Sequence, residues 1–274
     1  MSKRGEPSPK HSSSSSPGSG LASRLTHERL PLVLSVGVLL LYLPLLTKNY
    51  YWDGIFFARV IEEARGLDAT LLHPNHLVYN VVGYLFYRLA QGAGLEVRAI
   101  VVLQILNCFF GAASAYVLCR ILQDCFRSVY LSACLTLLFA VSATWWKFAT
   151  DADSYTASVF FLLISFYFVL PHRRKPRPFL AAAAHAASML FHQLAIFFFP
   201  VAVLGIFLQT TSQPTKQRLL HVLKYALAAF LFTFPVFCYS FYLTTGGLEL
   251  RPFLRWLTNF SPEHGFTFSF SDNL

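Results

Sequence analysis

Leu30-Pro-Leu-Val-Leu-Ser-Val-Gly-Val-Leu-Leu-Leu-Tyr-Leu-Pro-Leu-Leu-Thr47, followed at once by Lys48-Asn-Tyr-Tyr-Trp-Asp53, decides the fold class. A charge-free apolar run of about 18 residues matches the hydrocarbon core of a bilayer. A chain in that medium must satisfy its own backbone polar groups, so the run is a helix. Lys48 and the aromatic cluster behind it mark the membrane–water boundary. No small-x-small cleavage site follows, so the run is read as a retained first span rather than a signal peptide.

Further apolar runs follow at about Leu77 to Ala90, Ala99 to Leu118, Val129 to Trp146, Tyr155 to Leu170, Phe179 to Leu208 and Leu219 to Leu243. With 55% hydrophobic and only 13% charged residues, the fold class is all-α integral membrane, a bundle of about seven transmembrane helices. The formal charge of +9 sits in short clusters between the runs, which makes it topological and excludes a nucleic-acid face. The five cysteines (Cys108, Cys119, Cys125, Cys134 and Cys238) lie in or beside apolar runs without Cys-x-x-Cys spacing, so neither a disulfide framework nor a zinc site is expected.

Three basic turns, Arg120 to Arg127, His172-Arg-Arg-Lys-Pro-Arg177 and Lys216 to Arg218, favour the cytoplasmic side together with the Ser- and Pro-rich tail of residues 1–28, which is expected to be disordered. Parity then constrains the runs. If Leu77 to Ala90 crossed, Arg120 would lie outside and Asp151 inside. This run, carrying Asn80, Tyr84, Tyr87 and Arg88, is therefore read as an interfacial or re-entrant helix inside a first outer loop of about residues 48–97. Phe179 to Leu208 has basic turns at both ends and should cross twice, turning near His192-Gln193. The transmembrane domain spans 29–245, a second outer loop covers about 147–155, and 246–274 forms an outer segment, the start of a missing C-terminal part if the chain is a piece of a longer one.

Parity puts Tyr51-Trp-Asp-Gly54, His73-Pro-Asn-His76 and Asp151-Ala-Asp-Ser-Tyr155 on one outer face. Carboxylates at the edge of a span are costly unless they face a cavity, a partner or a metal. Asp53, Asp151 and Asp153 are thus candidate catalytic acids, with Asp53 and Asp151 the positions for a divalent metal if one binds. Lys147 is read either as a phosphate partner or as a snorkelling span end. His185 is read as bundle packing with a satisfied ring, and His192 as a turn residue near the site. Trp145-Trp146 and Tyr50-Tyr51-Trp52 suit an aromatic belt, or stacking on a sugar ring. Asn259-Phe-Ser261 matches the N-glycosylation pattern but precedes Pro262 and carries no weight.

The ordered set resembles the multispanning C-type (GT-C) glycosyltransferases, nearest the protein O-mannosyltransferases and the bacterial membrane proteins of the DUF2723 type. The family has an acid soon after span one, where Asp53 stands, and a His-Pro-Pro-Gly-Tyr-like helix start, where His73-Pro-Asn-His-Leu-Val-Tyr79 replaces the second Pro with Asn75. It also has an Asn near the start of a span (Leu106-Asn107), a Phe-x-x-Ser-x-x-Phe-Trp element (Phe139 to Trp146), an acid-x-acid-x-Tyr element (Asp151 to Tyr155, with Asp for Glu) and a His-containing turn (Phe191-His192-Gln193). The likeness covers about Tyr50 to Pro200. It implies transfer of a sugar from a polyprenyl-phosphate donor to an acceptor hydroxyl of a protein, glycan or lipid, at the outer face of a bacterial inner membrane or the endoplasmic reticulum. In that reading Asp53 is the base, Asp151 and Asp153 orient acceptor or metal, and His73, Lys147, Tyr155 and His192 contact substrate. The family has about eleven or more bilayer crossings, so a fragment or an inactive form is also expected. A transporter, whose polar groups would line a pathway near the midplane, and a non-catalytic scaffold are the rivals.

Overall fold

A computed structural model describes residues 17–170, 176–209 and 211–258, with side chains from Glu28 onward. The helices are α1 (Pro17–Tyr42), α2 (Trp52–Glu63), α3 (Tyr79–Gly92), α4 (Ala99–Phe126), α5 (Val129–Val141), α6 (Ala143–Thr150), α7 (Ser154–Val169), α8 (Pro178–Phe191), α9 (Phe199–Gln209), α10 (Thr215–Thr245) and α11 (Leu250–Thr258). Among the described residues there is no strand. Short 3₁₀ turns at Leu43–Leu45, Ala69–Leu71, Pro74–His76 and Gln193–Phe198 complete the order.

Among the described residues three stretches are long and apolar enough to cross a membrane: Glu28–Leu45, Ala99–Phe126 and Thr215–Thr245. A fourth arises if α5 and α6, bent by 63° at Ser142, count as one broken span. Leu32, Val33 and Leu40 on α1 and Leu223, Leu227 and Phe230 on α10 are each more than half exposed. Apolar surface of that extent is stable only against lipid or another protein, and together with the span lengths it makes this a membrane protein. Among the described residues seven full-length spans are not present. The run Val129 to Trp146 breaks where Ser142 leaves the helical region, leaving α5 with 13 and α6 with 8 residues, and Phe179 to Leu208 breaks at His192, leaving α8 with 14 and α9 with 11; α7 is unbroken but has only 16.

Two boundaries differ from the sequence reading. Residues 17–28, expected in a disordered tail, continue α1 toward the N-terminus. The segment holds Leu21, Ala22, Arg24, Leu25 and Glu28, good helix formers, and extending an existing helix avoids the nucleation cost. The aromatic pair is also not a simple belt. Trp145 is buried on Phe139 (ring centroids 4.4 Å apart), and Trp146 meets Tyr42 edge-on at 5.4 Å. Residues 1–16, the basic segment 171–175 and the tripeptide at Asn259 lie outside the described residues.

The helices alternate in direction around α4. α1 packs along α4, α4 against α5 and α7, α7 along α8, and α8 against α10. Close packing is built from small residues: a Cβ on Gly111 of α4 would lie 2.8 Å from the Ala149 Cβ and 3.1 Å from the Tyr42 ring. Buried hydrogen bonds fix the layers, with the Tyr42 hydroxyl donating to Ala140 O at 2.6 Å and the Ser165 hydroxyl to Ala181 O at 2.9 Å. His185 is wholly buried, its Nδ1 2.5 Å from the Tyr225 hydroxyl and its Nε2 2.8 Å from Ala195 O, the satisfied packing role expected of it. The C-terminal ends of α1, α8 and α10 and the N-terminal ends of α4 and α7 meet at one end of the bundle, where the polar motifs also lie.

Candidate functional site

At that end the two predicted loops are tied together through the backbone. Thr47 N donates to Thr150 O at 3.2 Å, and Gly54 sits so close to Ala152 that a Cβ there would lie 2.6 Å from Ala152 O. α4 supplies the fixed donors. Gln104 Nε2 donates to Thr47 O (2.8 Å) and Thr150 O (2.9 Å). One turn further on, Asn107 Nδ2 donates to Asp151 O and Asp153 O, each at 2.7 Å. Buried carbonyls need such partners, and turn backbone has none of its own.

Asp151 and Lys147 belong to this scaffold. The wholly buried Asp151 accepts from Lys147 Nζ at 2.6 Å and Tyr51 N at 3.1 Å through Oδ2, and from Ala152 N at 2.8 Å through Oδ1. Lys147 also donates to Asn49 O and lies 4.6 Å over the Tyr51 ring. Read from sequence as a catalytic acid and a phosphate contact, the two are instead spent on each other and on the first loop. Their i, i+4 spacing across the end of α6 accounts for the pairing.

Asp53 and Asp153 are the acids that reach open space. They line a cleft of about 300 Å³ with Tyr51, Trp52, Phe148 and Tyr155. Asp53 is exposed in the first turn of α2. Asp153 caps α7, its Oδ1 accepting from Tyr155 N at 2.9 Å. Burial, reinforced by the negative charges of Asp53 and Asp151, pushes the Asp153 carboxyl up to about 7. Tyr51 stacks on Phe148 at 5.7 Å, giving the cleft an aromatic wall.

Histidines lie next to the cleft, outside its lining, against Tyr155. His73 stacks on His76 with ring centroids 4.4 Å apart, and His192 stacks on Tyr155 at 4.1 Å. Burial holds all three imidazoles below their ordinary value, and their mutual repulsion lowers His76 and His192 further, the latter to about 4. Among the described residues no three His, Cys, Asp or Glu side chains are grouped to hold a metal, and Asp151 has no free oxygen facing the cleft.

Compared with models of protein families, with curated proteins and with solved structures, the chain matches none.

Sequence reading therefore names Asp53, Asp153, Tyr155, His73 and His192, which the fold brings together, and also Asp151 and Lys147, which it places beneath the cleft. It missed His76 as a member of the histidine group, Gln104, and the work done by Asn107. The last two carried a signal: they are amides inside an otherwise apolar run, where a polar side chain needs a reason. Phe148 carried none, since a wall aromatic reads like any other interfacial ring.

Proposed function

We propose that this protein is a membrane glycosyltransferase that moves a sugar from a polyprenyl-phosphate donor to an acceptor hydroxyl, with the cleft on the outer face and the N-terminus in the cytoplasm. The observation that carries it is the pairing of Asp53 and Asp153 in one aromatic-walled cleft at one end of the bundle. Aromatic faces and carboxylates together are the surface that binds a sugar ring and its hydroxyls. A transporter pathway would place its polar groups deeper along the helices.

Asp53, exposed at the mouth, takes the proton from the acceptor hydroxyl as that oxygen bonds the anomeric carbon and the bond from carbon to phosphate oxygen breaks, leaving a polyprenyl phosphate. Asp153, near half-protonation at neutral pH, both donates and accepts hydrogen bonds and orients the acceptor. Tyr51 and Tyr155 flank the sugar. The test is transfer of radiolabelled sugar from polyprenyl-phosphate donors by wild type, Asp53→Asn and Asp153→Asn in lipid. Loss of about 100-fold or more in the Asp53 variant is expected, the scale of a general-base contribution. Equal transfer by all three forms removes the carboxylates from the chemistry, and none by folded wild type favours a scaffold.

A further inference from the structure

α11, Leu250-Arg-Pro-Phe-Leu-Arg-Trp-Leu-Thr258, follows the span α10 after residues 246–249. Gly246, left-handed at φ 75°, ends α10 and lets the chain turn back. α11 then folds onto the helix it has just left. Phe253 meets Phe241 with ring centroids 5.4 Å apart, and Trp256 meets Phe241 at 5.5 Å and Phe237 at 6.4 Å. These rings stand one and two turns before the end of α10, so α11 rests at the level where that span reaches the membrane boundary. Tyr239, Tyr242 and Leu243, exposed on the same turns of α10, suit that boundary. Gln193 Nε2 donates to Leu257 O at 3.1 Å, and Phe253 packs with Leu77, which fastens α11 to two other segments of the bundle end.

Phe253 is buried, and Trp256 and Leu257 are half-buried on the same side. The outward side of the helix carries two stripes. Leu250 and Leu254, one turn apart, are 69% and 48% exposed. Arg251 and Arg255, also one turn apart and about 100° further round, are exposed as well. Among the described residues no carboxylate pairs with either guanidinium. An exposed leucine stripe flanked by unpaired arginines is the surface of a helix lying in the plane of the interface, with leucines among acyl chains and cations at the level of the phosphates. Guanidinium also matches phosphate oxygens in geometry as well as charge.

We infer that α11 is an interfacial helix that binds anionic phospholipid in the leaflet at the cleft end, through Arg251 and Arg255 at the headgroups and Leu250 and Leu254 in the acyl layer. Charge selects the lipid class. Two cations a turn apart, with no carboxylate to neutralise them, favour a headgroup of net negative charge over a zwitterionic one, whose own cation competes for the phosphate. This binding is independent of what the cleft transfers.

The test uses the full chain, cysteine-free except for Thr258→Cys, labelled there with a bimane fluorophore. Thr258 is exposed and lies between the two stripes, so its label reports the lipid beside them. The protein is placed in phosphatidylcholine nanodiscs with a minority of phosphatidylglycerol, and brominated acyl chains are carried by one lipid or the other at equal bromine content. The quenching ratio gives the local preference. Phosphatidylglycerol should be preferred by about fivefold for each arginine. Arg251→Gln with Arg255→Gln should bring the preference close to none at an unchanged thermal midpoint, lysine at both positions should keep most of it, and high salt should lower it. Quenching by neither lipid overturns the proposal and assigns the exposed stripes to a protein partner. Equal quenching by both lipids overturns it too, as does a preference that survives the loss of both arginines. If the glutamine variant unfolds, the salt series on the labelled parent decides: a preference that salt does not move overturns the arginine–headgroup contact.

Discussion

Gly54 and the Lys147–Asp151 pair show how single residues set the cleft. Gly54 is required by space rather than by backbone freedom, because a methyl group would push against the Ala152 carbonyl. Gly54→Ala should cost about 1–3 kcal/mol through forced separation of the two loops, read as a lowered thermal midpoint in detergent, and should cut transfer by moving Asp53 away from Asp153. A midpoint equal to wild type would show that the loops part freely. The ion pair behaves differently, since removing one partner strands the other in a buried place. Lys147→Met should destabilise by about 3 kcal/mol, and Asp151→Asn in the same chain should recover much of that, a coupling that a double-mutant cycle measures. Additive losses would mean that the pair is not a unit. Asp153 adds a pH dependence. Its carboxyl, raised from 3.8 to about 7, keeps in the folded state a proton that the unfolded chain has already released. The folded form therefore binds more protons between these values, and stability from this group falls as pH rises through that window. Midpoints at about pH 5 and about pH 8 should differ less in Asp153→Asn than in wild type.

At the scale of elements, α4 is the part on which the site is built. It presents Gln104 and Asn107 a turn apart; the Gln104 amide bridges the Thr47 and Thr150 carbonyls of two different segments, and the Asn107 amide bridges the Asp151 and Asp153 carbonyls of one turn. Asn107→Leu keeps the volume but leaves Asp151 O and Asp153 O without that donor, at about 1–3 kcal/mol for each buried acceptor. The expected result is a protein that still inserts, with a lowered midpoint and no sugar transfer; full activity would show that the turn holds itself. This division also explains what was legible beforehand. Apolar runs and their charged ends follow from single-residue chemistry, so the presence of α1, α4 and α10 was readable, with α10 bounded to within a few residues and α1 and α4 each running well past the apolar stretch at one end, and so was the convergence of Asp53, His73 and Asp153. The break at Ser142 was not, because the residues from Ala143 to Trp146 carry no charge, proline or glycine that would mark an interruption. Only packing of Trp145 and Trp146 against Phe139 and Tyr42 turns α6 away. Likewise an acid-x-acid pair looks symmetric in sequence. What separates Asp151 from Asp153 is Lys147 one turn earlier and the Tyr51 amide from the preceding loop, a contact 100 residues distant.

For the whole molecule, the alternating helices carry the argument about the membrane. Arg127 directly after α4 and Lys216 in the first turn of α10 lie at the helix ends away from the cleft, whereas the cleft end holds Asp53, Asp151 and Asp153 together with Lys48 and Arg98. Such a charge split favours a cytoplasmic position for the basic end. The short helices resist a simple reading: α7, with 16 residues, is about 24 Å long against a hydrocarbon core of about 30 Å. A bilayer thinned beside α7 and α8, or polar ends shielded by α2, α3 and α11, reconciles the lengths. α3 is decisive, because whether it crosses sets the side of everything after it. Its 14 residues are fewer than a full span needs, and they include the buried Tyr79, Asn80 and Tyr84, which pack toward α2 and α4. In a cysteine-free background, an impermeant thiol reagent applied to intact cells should therefore label Ala93→Cys, just after α3, and should reach Ser128→Cys only after permeabilisation. Labelling of both from outside, or of Ser128→Cys alone, would mean that α3 crosses or that the basic ends do not orient the chain, and either result would move the cleft to the other face and remove the lipid-linked donor from its reach.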